Sequence, residues 1–152
     1  MKLVPCLLLL FLCSCGSVRD WHELKTEPMT LGACYDGLRH IAAGARFLED
    51  SANCDRGYGT WQSRWRRRES EFNFPLRNRL RAEIDVDNGS TEEGWLIRYV
   101  IEQEKVTDLR RHRAPREEDW SADGQNRELE TLFTQALARR LAPKTTLGEL
   151  GP

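Results

Sequence analysis

The sequence predicts an α+β domain: a small antiparallel sheet of three to four strands packed against an N-terminal and a C-terminal helix as a two-layer sandwich. Three observations lead there. Apolar residues recur with helical period at Leu31, Cys34, Tyr35, Leu38, Ile41 and Ala42. Residues 76 to 87 alternate cleanly, with Leu76, Leu80, Ala82, Ile84 and Val86 set against Arg77, Arg79, Arg81, Glu83, Asp85 and Asp87. Near the end, Leu129, Leu132, Phe133, Ala136, Leu137 and Leu141 form a single apolar stripe. The order helix, strands, helix suits a sheet covered on one side.

The chain of 152 residues opens with Met1-Lys2 and an almost wholly apolar run from Leu3 to Leu12. A charged start followed by a run of this length reads as a secretory leader. It is too short to span a bilayer, which needs about 20 apolar residues. The run closes on Leu12-Cys13-Ser14-Cys15-Gly16-Ser17, which resembles the lipobox of bacterial lipoproteins. Leu12 stands at −3, Ser14 at −1 and Cys15 at the modified position. Cys13 does not fit, because Leu12 would then occupy −1, where a small side chain is required.

The resemblance implies that residues 1–14 are a signal peptide and that Cys15 is the lipidated first residue of the mature chain. Each buried methylene contributes about 0.8 kcal/mol, so several acyl chains anchor a protein essentially permanently. Gly16 lacks the acidic character that marks inner-membrane retention in the family, which favours the outer membrane with the domain in the periplasm. Cys6 and Cys13 would leave with the leader. With Cys15 acylated, Cys34 and Cys54 remain as an even pair in an oxidising compartment, and a disulfide between them is expected. Asn88-Gly89-Ser90 is a glycosylation sequon, which the bacterial leader makes irrelevant.

About 138 residues remain, enough for one domain with one core. A net charge of −1 gives no global field to steer nucleic acid, so no nucleic-acid partner is expected. Ser17 to Pro28 has no sustained period, and residues 15–28 read as a tether to a domain spanning 29–142. Residues 143–152 (PKTTLGELGP) read as a disordered tail.

Thr30 can cap the first helix. Were that helix to run to Glu49, Cys34 would lie about 22 Å from its end at 1.5 Å per residue. Five residues reach only about 17 Å back towards Cys54. A stop with Gly44 just past the helix end makes the bridge easy and leaves residues 45–50 (ARFLED) extended.

Asp55-Arg56-Gly57-Tyr58-Gly59 is turn chemistry. The first strand, residues 60–69, places Trp61 and Trp65 on one face and Arg64, Arg66 and Arg68 on the other. Residues 76–87 and 94–107 form the second and third, joined through the Asn88-Gly89 turn signal. Setting Asp87 opposite Gly94 pairs Ile84 with Ile97, Ala82 with Tyr99 and Leu80 with Ile101, so small faces large. The same register places Glu83 by Arg98, Arg79 by Glu102 and Arg77 by Glu104. The outward arginine stripe is therefore largely a ladder of solvated ion pairs. Arg64, Arg66, Arg67 and Arg68 are left without an evident partner, and form the candidate anion-binding cluster.

Ser121 or Asp123 can cap the last helix, which should lie across the side presented by Trp61, Trp65, Ile84 and Ile97. Arg139 and Arg140 suit the negative end of its dipole.

Converging catalytic groups are few. His22, His40 and His112 have no metal-ligand spacing, and no cofactor motif is found. Asp36 and His40 stand one helical turn apart, which suits a surface ion pair better than an acid–base couple. Glu117, Glu118 and Asp119 beside Trp120 hint at a sugar-hydrolysing loop, but such chemistry needs two carboxylates across a cleft. The expected role is that of a non-enzymatic envelope lipoprotein, held by its lipid and binding or helping to assemble an envelope protein. Its plan resembles that of small lipoproteins of outer-membrane assembly. Binding of anionic lipid or glycan at Arg64 to Arg68 is the alternative, and a small hydrolase using Glu117 to Asp119 a further one.

Overall fold

The computed structural model describes residues 19–69, 75–108 and 110–142. Cys15, the leader and the tail 143–152 lie outside the described residues. In chain order the elements are β1 (His22–Lys25), α1 (Leu31–Gly44), β2 (Thr60–Gln62), β3 (Arg66–Glu69), β4 (Pro75–Ile84), β5 (Leu96–Val106), β6 (Trp120–Gln125) and α2 (Arg127–Leu141). Single 3-10 turns cover Ser51–Asn53 and Glu117–Asp119. The fold is α+β.

Thr30 caps α1, its hydroxyl accepting the Ala33 N–H at 3.2 Å. The helix stops early, as its sequence suggests, but Gly44 is its last helical residue rather than the one beyond. Arg46 takes the left-handed conformation instead, with φ 62°. The Phe47 N–H then reaches back to Ala42 and the Arg46 N–H to Ala43, both at 2.9 Å. These two bonds form a Schellman termination.

The β4–β5 hairpin has the expected antiparallel register. Ile84 faces Ile97, Ala82 faces Tyr99 and Leu80 faces Ile101, while Glu83 meets Arg98, Arg79 meets Glu102 and Arg77 meets Glu104. At its turn the register departs from expectation, for Gly94 bridges Ser90 rather than Asp87.

The sheet has six strands, not three or four, because each edge is built from two short segments. Along β5 lie β1, running from His22 opposite Tyr99 to Lys25 opposite Leu96, and β6, from Gln125 opposite Glu102 to Trp120 opposite Val106. Along β4 lie β2, with Trp61 opposite Ala82, and β3, with Arg66 opposite Asn78. Side chains fill the breaks. Between β1 and β6, Glu130 Oε1 accepts the Ile101 N–H and the Asn126 N–H donates to the Ile101 carbonyl, each at 2.9 Å. Between β2 and β3, the Ser63 N–H donates to the Leu80 carbonyl at 2.9 Å while Ser63 Oγ accepts the Leu80 N–H at 3.0 Å.

Three expectations change as a consequence. Residues 19–28 are docked rather than a free tether, since β1 pairs with β5 and Thr26 is buried against Trp95. Residues 120–125 are a strand, so α2 begins later, capped by Asn126 accepting the Leu129 N–H at 3.0 Å. The irregular stretch Ser63 to Trp65 also shifts the phase of the arginine strand. Trp61 is in the core, whereas Trp65 lies on the opposite face of the sheet. Accordingly α2 rests on β1, β5 and α1. The Trp61 side falls to α1, whose Tyr35 hydroxyl donates to the Thr60 carbonyl at 3.3 Å.

One core joins both helices to the sheet, with Cys34, Leu38, Phe133 and Leu137 against Leu80, Ile97 and Ile101. Cys34 and Cys54 do not form the expected disulfide bond. Cys34 is a fully buried free thiol, pushed up to about 12 by desolvation. Cys54 is turned to β2, its Sγ hydrogen-bonded at 3.3 Å to the main chain of Gln62. The early helix stop therefore stands without the bridge from which it was argued.

Candidate functional site

The face of the sheet turned away from the helices carries the charged residues of β4 and β5. At its centre Arg77 is only 6 % exposed, although it points away from the core. Its guanidinium lies 4.5 Å from the Trp65 ring and 4.6 Å from the Trp120 ring. Its Nε donates to Glu104 Oε2 at 2.6 Å and its NH1 to Glu117 Oε2 at 2.8 Å. Arginine suits such a place because its planar fork stacks on aromatic rings and still donates in plane. Burial opposes the Arg77 charge, and the bonds to Glu117 and Glu104 more than offset it, so its pKa is raised.

Beside it Arg79 stacks on Trp65 at 4.3 Å and donates through Nε and NH2 to Glu102 Oε2 at 3.0 and 2.6 Å. Glu102, 9 % exposed, also meets Arg19 at 2.8 Å and Arg81 at 3.6 Å. One carboxylate thus gathers three arginines from β4 and the N-terminal segment. A cleft of about 150 Å³ opens next to this group, lined by Trp65, Arg19, Arg79 and Glu104 and by Ala122 and Gly124 of β6.

The predicted cluster of Arg64, Arg66, Arg67 and Arg68 does not stay together. Arg67 turns to the Trp120 side, 5.8 Å from that ring. Arg66 stacks over Phe47 at 4.8 Å and donates to the Ala45 carbonyl at 2.6 Å, at the C-terminus of α1. That helix has no basic residue in its own last turn, so β3 supplies the cation its dipole favours. Arg66 is joined by Arg68 and, unforeseen from the sequence, by Arg46. Desolvation, then the charges of Arg68 and Arg46, push the Arg66 guanidinium down. Among the described residues none of these five arginines makes an ion pair with a carboxylate. Arg64 is exposed, its backbone N–H donating to the Leu48 carbonyl at 2.8 Å.

The acidic triplet is occupied locally. Arg77 holds the Glu117 carboxyl below its usual range, which leaves it a poor proton donor near neutrality. Asp119 accepts the Arg116 N–H at 2.8 Å, and Glu118 lies 3.7 Å from Arg116. Asp36 pairs with Arg56 at 2.7 Å rather than with His40.

His22 does find a carboxylate, at the far end of the chain. Its Nε2 lies 3.0 Å from Glu130 Oε2, and its ring stacks on Tyr99 at 5.5 Å. Among the described residues no group of three His, Cys, Asp or Glu is placed to hold a metal ion, and no helix is long and apolar enough to cross a membrane.

The Trp65–Arg77–Trp120 arrangement and the cleft escaped the sequence reading. Strict alternation put Trp65 beside Trp61, and only the irregularity at Ser63 moves it. Nothing in HELK, the β1 sequence, signals that Arg19 reaches Glu102. No protein-family model matches the chain, and no curated protein matches its sequence.

Proposed function

We propose that the chain is a membrane-anchored bacterial envelope lipoprotein, lipidated at Cys15, whose domain has a non-enzymatic binding or assembly role in the periplasm. The leader carries the membrane part of this reading, and the docked N-terminal segment is the structural observation that supports the rest. Arg19 is held by Glu102, and Asp20 by Gln125 and Arg127. Only Gly16 to Val18 would then lie between the lipidated residue and the fold. Four residue steps span at most about 14 Å, so the domain would rest on the bilayer surface with little reach. A partner would meet it there, and the outer membrane is favoured by Gly16.

Intact mass of the membrane-extracted protein tests this. A chain beginning at Cys15 with acyl groups is the expected result, and Cys15→Ser should remain unprocessed and lose the lipid anchor. Unchanged processing and membrane partition of Cys15→Ser would sink the reading.

A second reading, binding of an anionic lipid or glycan, is favoured by the cluster of Arg46, Arg66 and Arg68. Three arginines stand together there, and among the described residues none of them pairs with a carboxylate. Clustered charge of one sign is the feature that suits an anionic ligand. Binding to anionic vesicles that falls steeply with salt, and falls again in Arg68→Glu, is the expected result. Salt-independent binding, or binding unchanged by the substitution, would remove it.

A further inference from the structure

We propose that the cleft beside Trp65 takes a zwitterionic lipid headgroup, a phosphate joined to a primary ammonium, from the bilayer that holds the chain. The proposal rests on the lipid-anchored reading above and assigns that membrane contact a ligand.

The cleft carries both signs of charge. Arg19 and Arg79 line it together with Glu102 and Glu104. A simple anion there would face two carboxylates, and a simple cation would face two guanidinium groups. A ligand bearing both charges meets each with its opposite.

The hydrogen-bonding capacity left over is also of both kinds. Arg79 spends Nε and NH2 on Glu102, while its NH1 makes no hydrogen bond among the described residues. Glu104 gives Oε2 to Arg77, and its Oε1 likewise makes none. One unused donor and one unused acceptor thus belong to lining residues on the neighbouring strands β4 and β5.

Size and position complete the match. A volume of about 150 Å³ takes a group about the size of one benzene ring, which suits a headgroup and not an acyl chain. Gly124 lines the cleft, and a Cβ there would meet nothing within 4 Å. Arg19 on the rim follows Cys15 by four residues, which would keep the cleft near the headgroup layer, where Trp side chains are favoured.

Calorimetric titration of the full mature chain with O-phosphoethanolamine tests the proposal, with ethanolamine and inorganic phosphate as separate controls. The joined compound should bind saturably and more tightly than either control. Glu104→Gln, which keeps an acceptor for Arg77, and Arg19→Gln on the half-exposed rim should each weaken it by about tenfold, as for a lost charge-assisted bond. Glu118→Gln, away from the cleft, should change nothing. Phosphate binding as tightly as O-phosphoethanolamine would overturn the zwitterionic assignment, as would unweakened binding in both cleft variants. Vesicles of phosphatidylethanolamine should compete with the soluble compound, and phosphatidylglycerol vesicles should not. An unacylated mature mass with binding retained would overturn the lipid source. An acylated mass without binding would overturn the cleft and leave the anchor reading standing.

Discussion

Glu130 lends its carboxylate to the backbone of Ile101, accepting the N–H at 2.9 Å in the gap between β1 and β6 on the outer edge of β5. The residue is fully buried and also receives Gln125 Nε2 at 2.9 Å and faces His22. Removing it strands a buried N–H and a half-buried imidazole at once. Glu130→Leu should destabilise the domain by about 3 kcal/mol in urea unfolding, whereas Glu130→Gln, which keeps an acceptor, should lose less. Equal losses would mean that packing, not the backbone bond, is what Glu130 supplies.

Arg46 holds a left-handed backbone at φ 62°, which an L side chain adopts at a cost of about 1 kcal/mol. Arg46→Gly should therefore raise the melting temperature by a few degrees while weakening any anion binding at Arg66 and Arg68. A lower melting temperature would show that the Arg46 side chain contributes more than its backbone conformation costs.

Gly94 is subject to a harder constraint. Its φ is 76°, and a Cβ there would lie 2.4 Å from the Thr26 carbonyl oxygen. Gly94→Ala combines strain with a backbone clash, so a loss of about 3 kcal/mol is expected by denaturant titration. The β1 segment should loosen first, visible as faster amide exchange at Thr26, whose N–H donates to the Trp95 carbonyl.

Acid should weaken the outer face. The Glu117 carboxyl lies below its ordinary 4.5 because Arg77 bonds to it, so the folded chain favours the ionised form more than the unfolded chain does. That contribution is present in full above the ordinary value and is lost as pH falls through the folded one. The gap in melting temperature between the protein and Glu117→Gln should shrink on acidification. Since Glu117 is exposed, the gap itself should be small.

Cysteine chemistry offers a direct check on the redox state. Burial pushes Cys34 to about 12 and raises Cys54 as well, so neither thiol should react readily with a disulfide reagent at neutral pH. Denaturation without reductant should release both thiols. A mass two hydrogens short of the free form would show that the bridge inferred from the even pair does form.

The hairpin at the centre was legible because its first strand alternates from Leu80 to Asp87, and one register with the second satisfied volume and charge together. The helices were legible from their stripes. The edge strands were not. HELK and WSADGQ are short and polar, and WSADGQ contains a glycine and two residues poor in strand propensity. They are strands because β5 offers an unpaired edge, a tertiary cause with no local signal. The grouping of the arginines was not legible for a related reason. Alternation along β3 sends Arg66 and Arg67 to opposite faces, the irregular stretch at Ser63 sets which face each takes, and Arg46 joins from a helix terminus distant in sequence.

The locking of Asp20 and His22 against Arg127 and Glu130 imposes an order of events on folding. Those partners are more than a hundred residues downstream, so the front of the domain cannot be secured until nearly all of the polypeptide is available. Were the chain exported as proposed, the stretch ahead of Arg19 would stay open to processing until the rear closes over it.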